Sequence, residues 1–212
     1  MHYIIKKNFL LVICCLANLQ VGAQITAVTE DGKAVILFNN GTWRYLNDSV
    51  RISNLNIPNY SIPKNSINLL KGKEIDYEIW YNAEKWKILP DSVYKNAEYS
   101  FEYIDGELIA MLIAERIQIS LTTIKEAAIA SFKKTGTEYK ISEEQIIRVN
   151  DTEGLLLKID ALVDGMPFAY LNGYFSTPQG TFQLITFTGY NLFDRYRNEM
   201  MNLISGFVPE NQ

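Results

Sequence analysis

The sequence predicts an α+β fold: a mostly antiparallel β-sheet flanked by helices, preceded by a small N-terminal β-meander. Three observations carry that prediction. Segments of strand-like alternation recur through the second half of the chain, and the connections between them are only a few residues long. Connections that short can join only antiparallel neighbours. Apolar residues at helical spacing follow the third strand of this half and return near the chain's end. Paired turn signals, Glu30-Asp31-Gly32 and Asn39-Asn40-Gly41, divide the region before residue 47 into short strands.

Met1 to Ala23 read as a secretory signal peptide. Lys6 and Lys7 form a basic start, Phe9 to Leu19 an apolar run shorter than the ~20 residues of a membrane span, and Val21-Gly22-Ala23 a small-residue exit. Cleavage is expected before Gln24, which makes the mature protein exported, periplasmic or extracellular. An uncleaved anchor is the alternative, and Asn18 and Gln20 interrupt its apolar run. Lipid attachment at Cys14 or Cys15 fits poorly, because Ile13 and Cys14 stand where a small residue should precede the cysteine. Cleavage removes both cysteines and His2, the only histidine, and with Lys6 and Lys7 gone the remainder is more acidic than the full chain's −4.

Ile25 to Leu46 is expected as the β-meander, at residues 24–46, with Asn40-Gly41 supplying the positive φ angles of a tight hairpin. Two or three strands are marginal alone, so the meander reads as an arm rather than a site. Residues 47–72 change to Asn, Ser and Pro, with Pro58 and Pro63 blocking regular structure, and read as a linker; Ile57, Ile62, Ile67 and Leu69 give it a way to lie along a domain surface.

The main domain is expected over residues 73–208. Its first strands are Ile75 to Tyr81, Glu98 to Ile104 and Glu107 to Ile117, the last apolar on both faces and so expected to be buried on both. A helix follows from about Leu121 to Thr135, capped by Ser120 or a neighbouring threonine and stopped by Gly136, with Leu121, Ile124, Ala128 and Phe132 on its sheet-facing stripe. Four strands come next, Tyr139 to Arg148, Gly154 to Val163, Pro167 to Ser176 and Thr181 to Thr188. A last helix, about Asn191 to Ser205, presents Phe193, Tyr196, Met200, Leu203 and Ile204 and ends at Gly206.

Particular residues in this order carry a resemblance. Tyr77-Glu78-Ile79-Trp80-Tyr81 with Trp86, the Ser120-to-Gly136 helix, the Val149-Asn150-Asp151-Thr152-Glu153-Gly154 turn, the Tyr170 to Phe175 strand and the Leu203-Ile204-Ser205-Gly206-Phe207 ending resemble the PsbP-like and Mog-like α/β/α sandwich superfamily. The resemblance covers about residues 73–208. It implies an antiparallel sheet of six or seven strands with helices on both faces, and it implies little about activity, since members include extrinsic photosystem subunits, a Ran-binding factor and bacterial envelope proteins.

Chemistry is constrained by what cleavage removes. Ser-His-Asp and Cys-His catalysis need an imidazole, and zinc sites are built mainly from His and Cys. Neither G-x-G-x-x-G nor G-x-x-x-x-G-K-[ST] occurs, so a phosphate cradle is not expected. No cofactor or metal is expected, and Asn150 to Gly154 reads as a turn rather than a calcium loop. Glu98, Glu102, Glu107, Glu115 and Asp160 are the carboxylates available for acid/base work, with Glu98 and Glu102 on a strand face with Ser100 that reads as solvated. An acidic chain without a basic stripe is not expected to bind nucleic acid.

Aromatic stripes remain: Tyr99, Phe101 and Tyr103 on one strand, Tyr170 and Tyr174 with Asn172 on another. Core packing accounts for such stripes, and a ligand or partner surface, if present, is expected at Trp80, Tyr81, Trp86, Tyr170 and Tyr174. Together these point to an exported, non-enzymatic protein that binds or stabilises a partner, expected to be another envelope protein. A carboxylate-dependent glycan hydrolase and a carrier for a small apolar or aromatic molecule are the alternatives.

Overall fold

Alternation along the strands divides the side chains of one long sheet between two cores. A computed structural model describes residues 57–91, 93–135 and 137–209 in full, together with the backbone of three short strands nearer the N-terminus. The expected leader and the two turns of the meander lie outside the described residues.

The chain divides into two compact units, Met1–Leu55 and Asn56–Gln212. In the first, β1 (Ile25–Val28), β2 (Ala34–Leu37) and β3 (Trp43–Tyr45) form an antiparallel three-stranded sheet in chain order. Ile25 opposes Leu37, and Leu37 opposes Trp43.

In the second unit the strands are β4 (Asn59–Tyr60), β5 (Asn68–Lys71), β6 (Tyr77–Tyr81), β7 (Trp86–Ile88), β8 (Tyr99–Tyr103) and β9 (Leu108–Glu115). Helix α1 (Leu121–Lys134) separates these from β10 (Glu138–Val149), β11 (Thr152–Val163), β12 (Met166–Thr177) and β13 (Gly180–Gly189). A 3-10 turn, Tyr190–Leu192, leads into α2 (Phe193–Ile204), and β14 (Phe207–Pro209) closes the unit.

Eight strands form the main sheet in the order β4-β10-β11-β12-β13-β9-β8-β7, and β14-β6-β5 form a separate sheet of three. All pairings are antiparallel except β4 with β10. The fold class is as the sequence implies. Three details differ. Tyr77–Tyr81 belongs to the small sheet, where it pairs with β5 and β14. Much of the expected linker is ordered, because β4 and β5 each have a partner strand. β7 and β14 are too short for periodicity to show.

The larger core lies on the face covered by α2 and β6, around Leu112, Leu171, Phe175, Phe182, Met200 and Phe207. The smaller lies under α1, with Ile124, Leu155, Leu157, Ile159 and Tyr174. β9 shows the asymmetry: Leu108, Ala110 and Leu112 are buried, whereas Ile109, Met111 and Ile113 on the other face are half-buried. Its expected burial on both faces is therefore complete on one only.

Ser120 caps α1 through its hydroxyl oxygen, which accepts the Thr123 N–H at 3.1 Å. α2 is bound to the β6–β9 side of the unit by polar bonds. Lys85 Nζ donates to Glu199 at 2.5 Å, which raises the Lys85 pKa. The Tyr196 hydroxyl donates to Asp105 in the β8–β9 turn, and Arg195 stands 3.5 Å from the same carboxylate. Burial of Tyr196, reinforced by this bond, pushes its hydroxyl up to about 12.

Burial of Asp105 opposes ionisation, yet the Tyr196 bond, the Glu107 N–H and Arg195 outweigh it and hold its carboxyl below the usual value. A depressed folded pKa contributes stability above the unfolded carboxyl value near ~3.9, and that stability is lost as pH falls through the folded value. The melting temperature is expected to drop more steeply between about pH 4 and pH 2 in the wild-type chain than in Asp105→Asn. Parallel acid limbs in the two proteins would remove the linkage.

Candidate functional site

The five residues expected to form a ligand surface do not come together. Tyr81 and Trp86 are buried in the larger core, with Tyr81 5.7 Å and Trp86 6.3 Å from the Phe101 ring. Trp80 is half-buried on β6 and its indole N–H donates to Glu78 at 3.0 Å. Tyr170 and Tyr174 belong to the smaller core on the opposite face of the main sheet, where Tyr170 packs edge-on against Phe132 at 5.5 Å. Asn172 Nδ2 donates to the Tyr174 hydroxyl at 3.0 Å, and burial pushes that hydroxyl up to about 12. Alternation puts Tyr170 and Tyr174 on one strand face, as the structure does. It could not show that helices cover both faces.

The acidic candidates are also scattered. Ser100, expected on a solvated face with Glu98 and Glu102, is 4% exposed because it opposes Met111 across the β8–β9 ladder. Glu98 lines a cleft of about 350 Å³ with Glu74, Asp91, Lys73 and Lys95. Lys73 occupies its acids: its backbone N–H donates to Glu98, its ammonium meets Asp91 at 3.0 Å, and that ammonium lies 4.8 Å from the Tyr99 ring. The Tyr77 hydroxyl is buried beside Glu98, outside hydrogen-bonding geometry, and burial raises its pKa. Glu102, Glu107 and Glu115 do not line this cleft. Among the described residues no cluster of three or more His, Cys, Asp or Glu is placed to hold a metal ion.

A different region gathers features that core packing leaves open. Lys158 and Asp160 share with Leu156 the β11 face that looks toward α2. The Lys158 side chain is only 13% exposed. Its ammonium pairs with Asp160 at 3.1 Å, donates to Ser142 at 3.2 Å and lies 4.5 Å from the Phe193 ring. The Asp160 contact is ionic rather than a directed hydrogen bond. Arg197 grips Glu143 with two bonds of 2.8 and 2.7 Å and packs 5.4 Å from the same ring. Ser142 occupies the place where the β10–β11 register shifts, between Ile141 and Glu143. Such a bulge re-aims side chains and bends an edge strand.

Beyond this cluster, at the β11–β12 hairpin end of the sheet, is an open cleft of about 330 Å³. Tyr139, Leu162, Pro167, Phe168 and Tyr190 line it, with Glu138, Lys140 and Asp160 as its charged members. Leu162, Met166 and Tyr190 are 41%, 57% and 52% exposed. Aromatic and aliphatic surface rimmed by a few charges suits an apolar group held in place by polar contacts. One signal was available in the sequence: Leu162 and Met166 flank the Asp164-Gly165 turn, where polar residues are usual.

The solution structure of the cyanobacterial PsbP protein CyanoP, from Synechocystis, superposes with a TM-score of 0.55 over 70% of this chain and 95% of that one, at 10% identity. The fold is PsbP-like. A looser likeness, TM-score 0.45 and 15% identity, is to LpqN of Mycobacterium tuberculosis, a protein involved in cell envelope biogenesis, over 72% of this chain and 99% of that one. No protein-family model matches the sequence, and no curated protein does. At such identities the PsbP-like likeness concerns the fold, and residues in the site have to be argued on their own chemistry.

Proposed function

We propose that this PsbP-like chain is an exported, non-enzymatic protein of the bacterial cell envelope that binds or stabilises a partner protein. The observation that carries the reading is the exposed apolar surface of Leu162 and Tyr190 in the hairpin-end cleft, with Met166 exposed at the same hairpin on the sheet's other face. Two ion pairs, Lys158 with Asp160 and Arg197 with Glu143, brace the sheet beside the cleft. Among the described residues no helix is long and apolar enough to cross a membrane. The leader read at Met1 to Ala23 supports export.

Placing a photo-crosslinking amino acid at Met166 tests the reading in cells. A single dominant adduct is expected there, and none from the same group at Lys134 on exposed α1. Equal labelling of many proteins from both positions would sink it. For the glycan-hydrolase alternative, Asp91 and Glu98 line one cleft, and Lys73 engages both. For the small-molecule carrier, the cleft is large enough, yet it is open to solvent.

A further inference from the structure

β10 is twelve residues long and pairs with β11 along nearly its whole length, whereas on its other side β4 meets it only at Arg148 and Val149. The bonds to this side show which backbone groups point outward. Arg148 N–H donates to the Pro58 carbonyl at 2.8 Å and Asn150 N–H to the Tyr60 carbonyl at 2.9 Å. Because alternate residues of a strand point their N–H and C=O the same way, the groups of Ile146 and Glu144 also face outward. The next bond of a parallel ladder would run from the N–H of residue 58 to the Ile146 carbonyl. Residue 58 is proline, which has none. Among the described residues, no backbone group bonds the outer side of β10 before Arg148.

Side chains on the two faces of this open edge differ. Toward α1 stand Tyr139, stacked 5.6 Å from Phe132, and Ile141 and Ile146, all half-buried against the smaller core, while Lys125 bonds Glu144 at 2.5 Å. Toward α2 stand Ser142 and the Glu143–Arg197 pair. Edge strands this long are usually covered or deliberately blunted, and the bulge at Ser142 together with Glu143 and Glu144 opposes indiscriminate pairing.

Taking the binding function proposed above as its basis, we propose that the β10 edge is a strand-acceptor site. Its occupant is an extended segment of a partner protein with apolar side chains on the α1-facing side and polar ones on the other. The row of outward N–H and C=O groups can be matched in full only by another strand's backbone. The half-buried apolar row would close over that strand's apolar face. The hairpin-end cleft, which Glu138, Tyr139 and Lys140 of β10 help to line, lies at the strand's start and would take one further apolar side chain.

Randomised decapeptides displayed on phage, selected on the purified chain, supply the probe. The strongest binder is then resynthesised with single backbone N-methyl groups. N-methylation at alternate residues is expected to weaken binding by at least about ten-fold, with the residues between them tolerating it, as a lost backbone bond dictates. Glu144→Pro removes one outward N–H without touching the β11 ladder and should weaken the unmodified peptide by a similar factor. Glu144→Ala keeps the N–H, loses the Lys125 bond and should stay within about two-fold of wild type. Should Glu144→Pro fold poorly, the N-methyl series on the wild-type chain decides alone. Hydrogen exchange of the Glu144 and Ile146 amides should be fast in the free chain and slowed by the peptide. Failure to select any peptide, indifference to N-methylation, or amides already protected in the free chain would each overturn strand addition. Binding that survives N-methylation but disappears in Tyr190→Ala would overturn it too, while leaving the broader binding function standing.

Discussion

Gly206→Ala is expected to lower stability by more than about 4 kcal/mol, enough to leave much of the chain unfolded at ordinary temperatures. A β-carbon at this position would stand 1.9 Å from the Trp80 carbonyl oxygen and 2.9 Å from its carbon. Both are backbone atoms of β6, so no side chain can rotate away to make room. The contact is close because Trp80 N–H donates to the Gly206 carbonyl at 2.8 Å, just where α2 ends and β14 joins β6. Moving the two apart would pull Phe207 from its stack on Phe175, 4.6 Å between ring centres, and from Phe182 at 5.0 Å. Gly165→Ala is the contrasting case. Its φ of +79° disfavours a side chain, but nothing lies within 4 Å of the new atom, so about 1 kcal/mol is expected. Denaturant unfolding of the two variants checks both figures. Similar midpoints for the pair would show that the β6–α2 approach is looser than drawn.

Asn150→Ala is expected to cost about 3 kcal/mol, from two sources that can be separated. Asn150 and Asp151 have φ values of 46° and 65°, the paired positive angles of a tight hairpin between β10 and β11. The Asn150 side chain also ties three segments together: Nδ2 donates to the Ser205 and Phe207 carbonyls at 3.0 and 2.7 Å, and Oδ1 accepts the Ile62 N–H at 3.1 Å. Alanine loses the bonds and strains the backbone, whereas Asn150→Gly loses the bonds alone. The glycine variant should therefore recover about 1 kcal/mol of the loss. A loss below about 1 kcal/mol in both variants would mean that water replaces the side chain at those carbonyls without penalty.

The same asparagine shows how far the sequence could be read. Val149 to Gly154 is recognisable as a turn, but the Asn150 side chain bonds the backbone of distant segments rather than its own. That the turn would reach the end of α2 and the segment after β4 was not recognisable, since its partners lie 88, 55 and 57 residues away. Trp86 and Tyr174 make the same point for the site. Tyr174 lies on a strand that alternation predicts and Trp86 on one too short to predict, and both are core residues on opposite sides of the sheet. Whether an aromatic stripe is covered depends on where the helices dock, and α1 and α2 dock on different faces. The cleft at the hairpin end went unread for the opposite reason. Leu162, Phe168 and Tyr190, which line it, are apolar, and without a third dimension an apolar residue defaults to the interior.

What the sequence by itself determined is local: the alternation of the long strands, the stripes of the two helices, a Ser or Thr cap for the first of them and the turn at Asn150. Tertiary structure alone decided that Tyr77–Tyr81 leaves the main sheet for a small one, that β4 stops at Pro58, and that the outer side of β10 before Arg148 is left without a strand among the described residues. Periodicity of two or 3.6 residues is set within a strand or helix by its own backbone geometry. Which strand lies beside which, and which edge goes unpaired, is settled only when residues distant in sequence compete for the same hydrogen bonds and the same apolar surface.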